Sequence, residues 1–589
     1  MAAEFNIMRS FFKFFFASFL ALLVFSLVAF FIVVGIAGSL ASKEKQKLSA
    51  KTVLELDLGI SFNERVVKDP FSQIAGEGEV PTLYEMVRLI DHAKTDDNIS
   101  GIIIRANSNV NGFAASNELR NALIDFRSSK KFIIAQADYM SQQTYFVANA
   151  ADKIYINPVG MFSWEGFNIT MPFIKGTLDK LDIEPQIFYA GKFKSATEIF
   201  RTEKMTPENR IQTEAWLGDM YRHFLVQSAA ARKIDTATLH SLAVTQAIQT
   251  PQDALANKLI DGVKYDDEIK DEIKKNLSLE KHDKMTILPF SKYKEAVKLR
   301  KGGGDRIAVI YAEGDIVDGL GADNNIGGEK FQKIIRKARL DKSVKAIVLR
   351  VNSGGGSALA SDQIWRELQM AKKDGKPVIV SFGNVAASGG YYIAAGADSI
   401  FSNPNTITGS IGVFGVIPNM EGFFKNKLGV TFDGVKTAPF ADAGGIHRPM
   451  NEAEKRMIQA EIERIYLQFK QRVAEGRKMD INIVDSFAQG RVWSGMDAME
   501  IGLVDRMGNL QDAVDCAARM AKLDKYGLKE YPESESWINS LLGNKKTEPA
   551  ALMRKEMGEE NFRIYQQVIK IREMTQSVQA RLPFEFYIK

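Results

Sequence analysis

The sequence predicts two related, mostly parallel α/β domains in tandem. Short β-branched runs alternate with helical patterns: KAIVLRV at 345–351 and KPVIVSF at 376–382 are separated by SDQIWRELQMAKK at 361–373. Apolar runs separated by helices are typical of strands that are buried on both faces of a parallel sheet. The chain has 589 residues, which is too many for one ordinary core. Its second half also repeats features of its first half in the same order.

The repeat is clearest around two tyrosine-led segments. YFVANAADKIYINP at 145–158 matches YYIAAGADSIFSNP at 391–404 at seven of fourteen positions. Upstream, IIIRANSN at 102–109 parallels IVLRVNSG at 347–354. Matching segments in the same order indicate that the body of the protein arose by duplication.

Each half opens on a strand-like run, which sets the predicted domain limits. VLELDLGI at 53–60 opens the first half, and IAVIYAEGDI at 307–316 opens the second after a glycine linker. We predict a first half over 51–300 and a second half over 301–530. The remaining residues, 531–589, have a helical composition and are predicted to form a helical extension for packing or assembly.

The N-terminal region predicts a membrane anchor within residues 1–50. Residues 14–42 form a run of 29 residues without a charge, long enough to cross a bilayer with some tilt. A cleavable signal peptide and a buried helix are the alternatives, but the apolar core of a signal peptide is usually shorter. Basic residues flank the run on both sides, so their count does not decide the orientation of the body.

The composition makes several function classes improbable. The net charge is only +5, from 77 basic and 72 acidic residues, and no basic stripe carries interleaved aromatics, which argues against nucleic acid as a partner. The single cysteine, Cys516, excludes an intrachain disulfide and a multi-cysteine metal site. The five histidines lack ligand spacing, and no Walker phosphate loop is present. We therefore expect no metal and no cofactor.

The two halves differ at one serine. With Tyr145 set against Tyr391, Ser388 and the two glycines after it fall opposite Gln142, Gln143 and Thr144. Likewise, the glycines at 354–356 have no glycine counterparts in the first half. A helix cap or a tight packing contact would also explain a serine beside two glycines. The alternative is a nucleophile whose substrate must approach the backbone closely.

A lysine shows the reverse asymmetry. Aligning FYAGKFKSA at 188–196 with FDGVKTAP at 432–439 places Lys194 opposite Thr437. Lys192 and Lys436 are nearby competitors, and a solvated surface lysine is the simpler interpretation of any of them.

The two asymmetries together predict a Ser–Lys dyad built across the halves. A serine needs a base to take its proton, and a lysine serves as that base only when neutral. Burial at a domain junction would favour the neutral amine. The N–H of Gly389, with that of Gly355 or Gly356, could then form an oxyanion hole.

These features resemble the long form of the signal peptide peptidase A (protease IV) family. The resemblance rests on the anchor, the duplicated body and three motifs: RVNSGGGS at 350–357, VAASGGYY at 385–392 and TGSIGVFG at 408–415. It implies tandem crotonase-like (ClpP-related) α/β domains and a serine endopeptidase that works through an acyl-enzyme. The motif positions imply that Ser388 is the nucleophile, Lys194 the general base and Ser410 the residue that orients the lysine. Gly354 stands where the family commonly has proline.

The same resemblance implies substrates, assembly and location. The substrates would be cleaved signal peptides and other short, unfolded hydrophobic peptides. The protein would be a homotetramer in the bacterial inner membrane, held by residues 14–42, with its body in the periplasm. Two alternatives stay open: an inactive crotonase-like scaffold that only binds peptides, and an acyl-CoA enzyme, for which no carboxylate base is evident beside the glycine loops.

Overall fold

The computed structural model describes residues 13–28, 31, 48–66, 79–297, 299, 304–533 and 578–582. Both predicted halves belong to one unit, formed by Ser49–Lys294 together with Lys298–Lys589. Contacts between the halves therefore lie within a single body.

The first half is built on a parallel sheet. Its described strands are β1 Thr52–Asp57, β2 Ile99–Arg105, β3 Phe132–Met140, β4 Lys153–Phe162, β5 Glu184–Ala190, β6 Gly262–Val263 and β7 Ile287–Pro289. Six of them form a sheet in the order β6-β4-β3-β2-β1-β7, and every pairing in it is parallel. The central strand β2 reads ISGIIIR and its three consecutive isoleucines are fully buried, as expected for a strand covered on both faces.

Helices connect these strands. The described α-helices of this half are Leu83–Thr95, Phe113–Phe126, Gln142–Ala148, Lys175–Lys180, Glu198–Arg201, Pro207–Arg232, Thr236–Val244, Pro251–Ala256, Asp266–Asn276 and Phe290–Ala296. Short 3-10 turns lie at Arg127–Ser129 and Ser195–Thr197.

The second half repeats the architecture. Its described strands are β8 Arg306–Glu313, β9 Ile316–Val317, β10 Ile326–Gly327, β11 Val344–Ser353, β12 Gly355–Ser357, β13 Val378–Ala387, β14 Ser399–Ser402, β15 Ile407–Gly409, β16 Val413–Asn419, β17 Val492–Ser494, β18 Arg506–Met507 and β19 Gly527–Tyr531. The main path of its sheet runs β17-β15-β13-β11-β8-β19, and β14 pairs with β13 and β18.

The helices of the second half cover this sheet. Those described are Gly328–Leu340, Ala358–Lys373, Gly389–Ala394, Glu452–Arg477, Ile481–Phe487, Gly495–Glu500 and Leu510–Met520, with a π-helical turn at Phe423–Lys427.

Equivalent strands pair in the same register in both halves. Ile102 lies opposite Ile133 between β2 and β3, and Ile347 lies opposite Val378 between β11 and β13. Because IIIRANSN and IVLRVNSG supply these strands, the structure confirms that the repeated sequences form repeated elements.

A third sheet joins the halves. Its order is β10-β9-β12-β20-β16-β5, where β20 is Gln579–Arg581. Strands β16 and β5 are antiparallel and pair from Val413 opposite Ala190 to Asn419 opposite Glu184. A strand of the first half is thereby fixed beside a strand of the second, and the loop that follows β5 enters the second half.

A buried ion cluster also links the halves. Arg350 at the end of β11 is 1% exposed and donates to Glu64 at 2.9 Å and to Glu118 at 2.8 Å. Ser381 accepts a further bond from the same guanidinium at 2.8 Å. Desolvation raises the pKa of Glu118, while the Arg350 charge opposes that rise. The first half thus contributes both acids and the second half their shared base.

The predicted N-terminal anchor lies partly outside the described residues. Residues 13–28 are helical and exposed, whereas 29–30 and 32–42 are not described. Within the described chain, no helix combines the length and the apolar character that a bilayer crossing requires.

The predicted C-terminal helix differs at its end. Residues 534–577 are not described, but Gln579–Arg581 form β20 instead of a helix. The strand pairs with Gly355–Ser357 on one side and with Phe414 on the other. Pairing on both edges satisfies backbone groups of this short segment, which explains why tertiary contacts override its helical composition.

Candidate active site

Ser388 sits at a sharp turn between β13 and the helix Gly389–Ala394. Its φ of +54° is uncommon for a residue with a side chain, and its N–H donates to the Gly409 carbonyl at 2.8 Å. Backbone strain of this kind is frequent at functional sites. The side chain is fully buried, so the turn fixes the hydroxyl in the interior between the halves.

The two glycines after Ser388 are required by close packing. A Cβ on Gly389 would lie 2.7 Å from Ser361 Oγ and 3.1 Å from Gly356 N, and one on Gly390 would lie 2.5 Å from the Ser353 oxygen. No side chain fits at either position, so glycine is needed there to let neighbouring segments pack closely against the turn that carries Ser388.

Lys194 comes from the first half and reaches Ser388. It lies on the loop after β5, and its Nζ is 2.9 Å from Ser388 Oγ. The same nitrogen is 3.0 Å from Ser410 Oγ and 3.2 Å from the Ser410 carbonyl oxygen. The three residues singled out in the sequence therefore meet at one buried point.

The competing lysines lie elsewhere. Lys192 is placed over the ring of Phe193, with Nζ 5.1 Å from the ring centroid. Lys436 forms an ion pair with Asp442 at 2.6 Å and is 41% exposed. Of the three candidates, Lys194 is the one that the structure brings to the serine.

Lys194 is closed to solvent, and its amine has uncharged neighbours. The residue is 1% exposed, and its Nζ lies 6.0 Å from the centroid of the Phe414 ring. Burial lowers the pKa of the Lys194 amine well below its ordinary value, because the charged form loses its hydration. A neutral amine next to a hydroxyl is able to accept the hydroxyl proton.

Ser410 directly follows β15 and is held by the residue that precedes β17. Its φ is +51°, and its N–H donates to the Arg491 carbonyl at 2.7 Å. The Ser410 hydroxyl faces the amine of Lys194. The backbone around Ser410 is held by hydrogen bonds to residues 490 and 491. This arrangement can restrict the amine to the rotamer that meets Ser388.

The glycine loop, residues 354–356, packs against the turn that carries Ser388. Gly355 and Gly356 have φ values of +102° and +154°, which favour glycine. The N–H of Gly355 donates to Ser353 Oγ at 3.1 Å. A Cβ on Gly355 would lie 2.7 Å from Gly389 N, so the glycine loop and the nucleophile turn are in close contact.

A buried glutamine that the sequence analysis did not single out connects the lysine loop to the second half. Gln212 donates to the Phe193 carbonyl at 3.1 Å and to Ser195 Oγ at 3.0 Å. Its own carbonyl oxygen accepts from Val492 N at 3.0 Å. Nothing in the sequence around Gln212 distinguishes it from an ordinary polar helix residue, so no local signal could have found it.

Gly490 is a second residue that the sequence did not reveal. A Cβ at this position would lie 2.7 Å from both Lys194 N and Lys194 Cβ. The neighbouring Gln489 carbonyl accepts from Phe193 N at 2.8 Å. Residues 489–492 of the second half therefore clamp the lysine loop while also holding Ser410 through Arg491.

Three of the five histidines lie beside a tyrosine or an asparagine. His92 lies 2.8 Å from Tyr293 Oη, His223 lies 3.3 Å from Asn117, and His240 lies 3.3 Å from Tyr221. In the described residues, no group of three or more His, Cys, Asp or Glu side chains is arranged to hold a metal ion.

Comparison with known proteins places both halves in one family. Residues 125–280 and 370–524 match the family described as Peptidase family S49. Protease 4 of Salmonella typhi is 37% identical over 475 residues, which cover 78% of this chain and 75% of that protein. Protease 4 of Haemophilus influenzae is 36% identical over 469 residues, covering 77% and 75%.

Two more distant proteins extend the comparison. The chloroplastic serine protease SPPA of Arabidopsis thaliana is 30% identical over 441 residues, covering 73% of this chain and 64% of that protein. Among solved structures, ClpP1 from Listeria monocytogenes is 19% identical and covers 34% of this chain and 91% of its own, with a TM-score of 0.23. The sequence matches confirm the predicted family resemblance; the structural match is too weak to add to it.

Proposed function

Because this chain belongs to peptidase family S49 and is a serine-type peptidase, we propose that it cleaves peptide bonds with a dyad of Ser388 and Lys194. The observation that carries this proposal is the 2.9 Å separation between Lys194 Nζ and Ser388 Oγ at a fully buried junction of the two halves. Nucleophile and base within hydrogen-bond reach are the required geometry for an activated serine.

Acylation begins with proton transfer to the amine. Neutral Lys194 takes the proton of Ser388 Oγ as this oxygen forms a bond to the carbonyl carbon of the substrate. The carbonyl oxygen becomes negative and is stabilised by backbone N–H groups, for which we propose Gly389 and Gly356. Gly355 is the less suitable donor, since its N–H already donates to Ser353 Oγ.

Breakdown of the tetrahedral intermediate releases the first product. The carbon–nitrogen bond breaks, and the leaving amine takes the proton from Lys194, which becomes neutral again. A water molecule then adds to the acyl-enzyme by the same route and releases the carboxylate product. Ser410 would keep the amine of Lys194 aligned through its hydroxyl, 3.0 Å away.

We infer that the substrates are short, unfolded hydrophobic peptides, including cleaved signal peptides. The support is the family resemblance together with the closed position of the dyad. Ser388, Lys194 and Ser410 are each at most 1% exposed, so a folded protein surface could not reach them. Burial of the dyad supports an activity on extended peptides, and the family resemblance supports an endopeptidase.

The test compares single substitutions on a quenched fluorescent hydrophobic peptide. We expect Ser388→Ala to lower kcat at least a thousandfold, on the order found for catalytic serines. Lys194→Ala should lower it by about 10²–10⁴-fold through loss of the base. Lys192→Ala and Lys436→Ala are the matched controls and should keep wild-type turnover.

Three outcomes would reject the mechanism. Full turnover by Ser388→Ala would mean that another nucleophile works or that the dyad is not used. Loss of activity in Lys192→Ala or Lys436→Ala, with Lys194→Ala unaffected, would assign the base to a different lysine. Absence of turnover in the wild type on every peptide would favour the inactive scaffold.

We also propose that residues 14–42 anchor the protein in the inner membrane, with the body in the periplasm as a homotetramer. The uncharged run of 29 residues and the family resemblance support the anchor. Deletion of residues 1–47 should move the protein from the membrane pellet to the supernatant in bacterial fractionation. If the truncated protein stays in the membrane pellet, the anchor proposal is wrong.

Protease treatment of spheroplasts tests whether the body lies on the periplasmic side of the membrane. Mass photometry in detergent tests the subunit number.

A further inference from the structure

The last described segment of the chain lies in a slot beside the nucleophile. Strand β20, Gln579–Arg581, is inserted between β12 and β16 in the joining sheet. β12 is the glycine strand, and β16 begins three residues after Ser410. One strand therefore fills the space between two edges that both belong to the active site.

Backbone pairing holds this segment on the glycine strand. Gly355 lies opposite Arg581, Gly356 opposite Ala580 and Ser357 opposite Gln579 in an antiparallel register. Leu582 N–H donates to the Gly354 carbonyl at 2.8 Å, and Ala358 N–H donates to the Val578 carbonyl at 3.3 Å. Pairing of this kind recognises any extended peptide without regard to most of its side chains.

One carbonyl of the segment lies close to Gly355 and to Gly389, of which Gly389 is one of the two proposed oxyanion donors. The Ala580 oxygen would be 2.1 Å from a Cβ on Gly355 and 3.0 Å from a Cβ on Gly389. Gly389 directly follows Ser388. The absence of side chains at these two positions lets a peptide carbonyl approach the turn that carries the nucleophile.

An ion pair and a second strand pairing hold the segment at two further points. Arg581 forms an ion pair with Asp315 at 2.5 Å, and both partners are less than a fifth exposed. On the other edge, Gln579 lies opposite Phe414, whose ring is 6.0 Å from Lys194 Nζ. Ala580 is fully buried, so the slot admits a small residue at the point nearest the glycine turn.

We propose that residues 578–582 occupy, in the same chain, the position that an extended peptide substrate takes, and that they compete with it. The inference rests on the proposed peptidase function, because it identifies an occupant of that same site. A peptide gains access only when the segment leaves the slot. The apparent affinity for substrate is then the intrinsic affinity multiplied by the fraction of molecules in which the slot is open.

The main test is Ala580→Pro, which removes the N–H needed for antiparallel pairing at the centre of the segment. We expect the KM for a hydrophobic peptide to fall at least about threefold, with kcat unchanged, because the open fraction rises. Ala580→Gly is the matched control, since it keeps the N–H, and it should retain the wild-type KM. Arg581→Glu is a second variant, which repels Asp315 and should lower KM in the same direction.

A binding measurement separates this inference from the peptidase proposal. The ligand is a fluorescent peptide of sequence VQARL, blocked at both ends. We expect the double variant Ser388→Ala/Ala580→Pro to bind it at least about threefold more tightly than the single variant Ser388→Ala does. The same peptide with proline at its alanine should not bind. Equal affinities with and without Ala580→Pro, and with and without Arg581→Glu, would overturn the inference, whether or not the wild type cleaves peptides.

Discussion

Lys194 carries an amine that is 1% exposed and that contacts two serine hydroxyls. Burial lowers the pKa of this amine well below its ordinary value, so the neutral base persists at pH values where an exposed lysine is protonated. In the unfolded chain the amine binds its proton more tightly. Between the two pKa values the unfolded chain therefore holds more protons, and the contribution of this site to stability rises with pH.

The pH dependence of catalysis follows from the same shift. We predict that kcat/KM rises with pH as Lys194 loses its proton and falls about tenfold per pH unit below its pKa in the free enzyme. The measurement is a pH–rate profile on a peptide without ionisable groups. Lys194→Arg should be inactive throughout, since a guanidinium stays charged. A flat wild-type profile between about pH 5 and 9 would contradict a lysine base.

At this scale the sequence was informative where the two halves disagree. Ser388 and Lys194 stood out because their counterparts are Gln142 and Thr437. Gln212 and Gly490 did not stand out, because their roles arise from contacts with distant segments. A glutamine in a long helix and a glycine in a loop carry no sign of those contacts.

The clamp at residues 489–492 acts at the scale of elements. The Gln489 carbonyl accepts from Phe193 N, and Gly490 packs against Lys194. Val492 N donates to the side-chain oxygen of Gln212. Gln212 thereby ties the helix Pro207–Arg232 to the strand β17, and a second bond, from Ser494 Oγ to Asp219 at 2.8 Å, joins the same two elements. The position of the lysine loop depends on this tie rather than on the strand β5 alone.

Gln212→Ala tests the tie. We predict that kcat falls about tenfold to a hundredfold with little change in KM, because a small displacement of the base from the nucleophile is costly. Glu214→Ala, at an exposed position on the same helix, is the matched control and should keep wild-type kcat. Steady-state kinetics and a thermal melt of both variants make the comparison. An unchanged kcat in Gln212→Ala would show that the loop is held without it.

The elements themselves were predicted unequally. The run at 345–351 lies within β11, and residues 378–382 of the run at 376–382 lie within β13, since long β-branched runs leave few alternatives. The helix predicted from 361 begins at Ala358, where the hydroxyl of Ser357 accepts from Ala360 N at 3.2 Å. That cap lies inside the glycine loop, which the motif favoured as a ligand loop. β20 could not be foreseen, because its pairing partners lie more than 160 residues away in sequence.

At the scale of the whole molecule, the two halves are locked by an ion cluster as well as by the joining sheet. Arg350 lies between Glu64 and Glu118, and all three side chains are at most 4% exposed. A buried cation with two acids is costly to dismantle, because removal of one partner leaves the others charged and unsolvated. The cluster therefore fixes the relation between the halves on which the dyad depends.

Arg350→Met should destabilise the protein by about 3–5 kcal/mol, since it leaves two buried carboxylates without a counter-charge. Chemical denaturation monitored by tryptophan fluorescence measures the effect. Lys345→Met, which removes an exposed ion pair with Asp305, is the control and should change the free energy of unfolding by less than about 1 kcal/mol. Equal effects of the two substitutions would mean that the buried cluster does not couple the halves.

The placement of the amine in one copy and of the hydroxyl that it touches in the other has a consequence for inheritance. Duplicated sequences are usually redundant, so that a mutation that inactivates one copy leaves the other active. Under the proposed mechanism each half supplies a group that the other lacks, so loss of either group should inactivate the whole chain. Cut into two polypeptides at the glycine linker, the chain should yield two inert pieces that recover cleavage only when mixed.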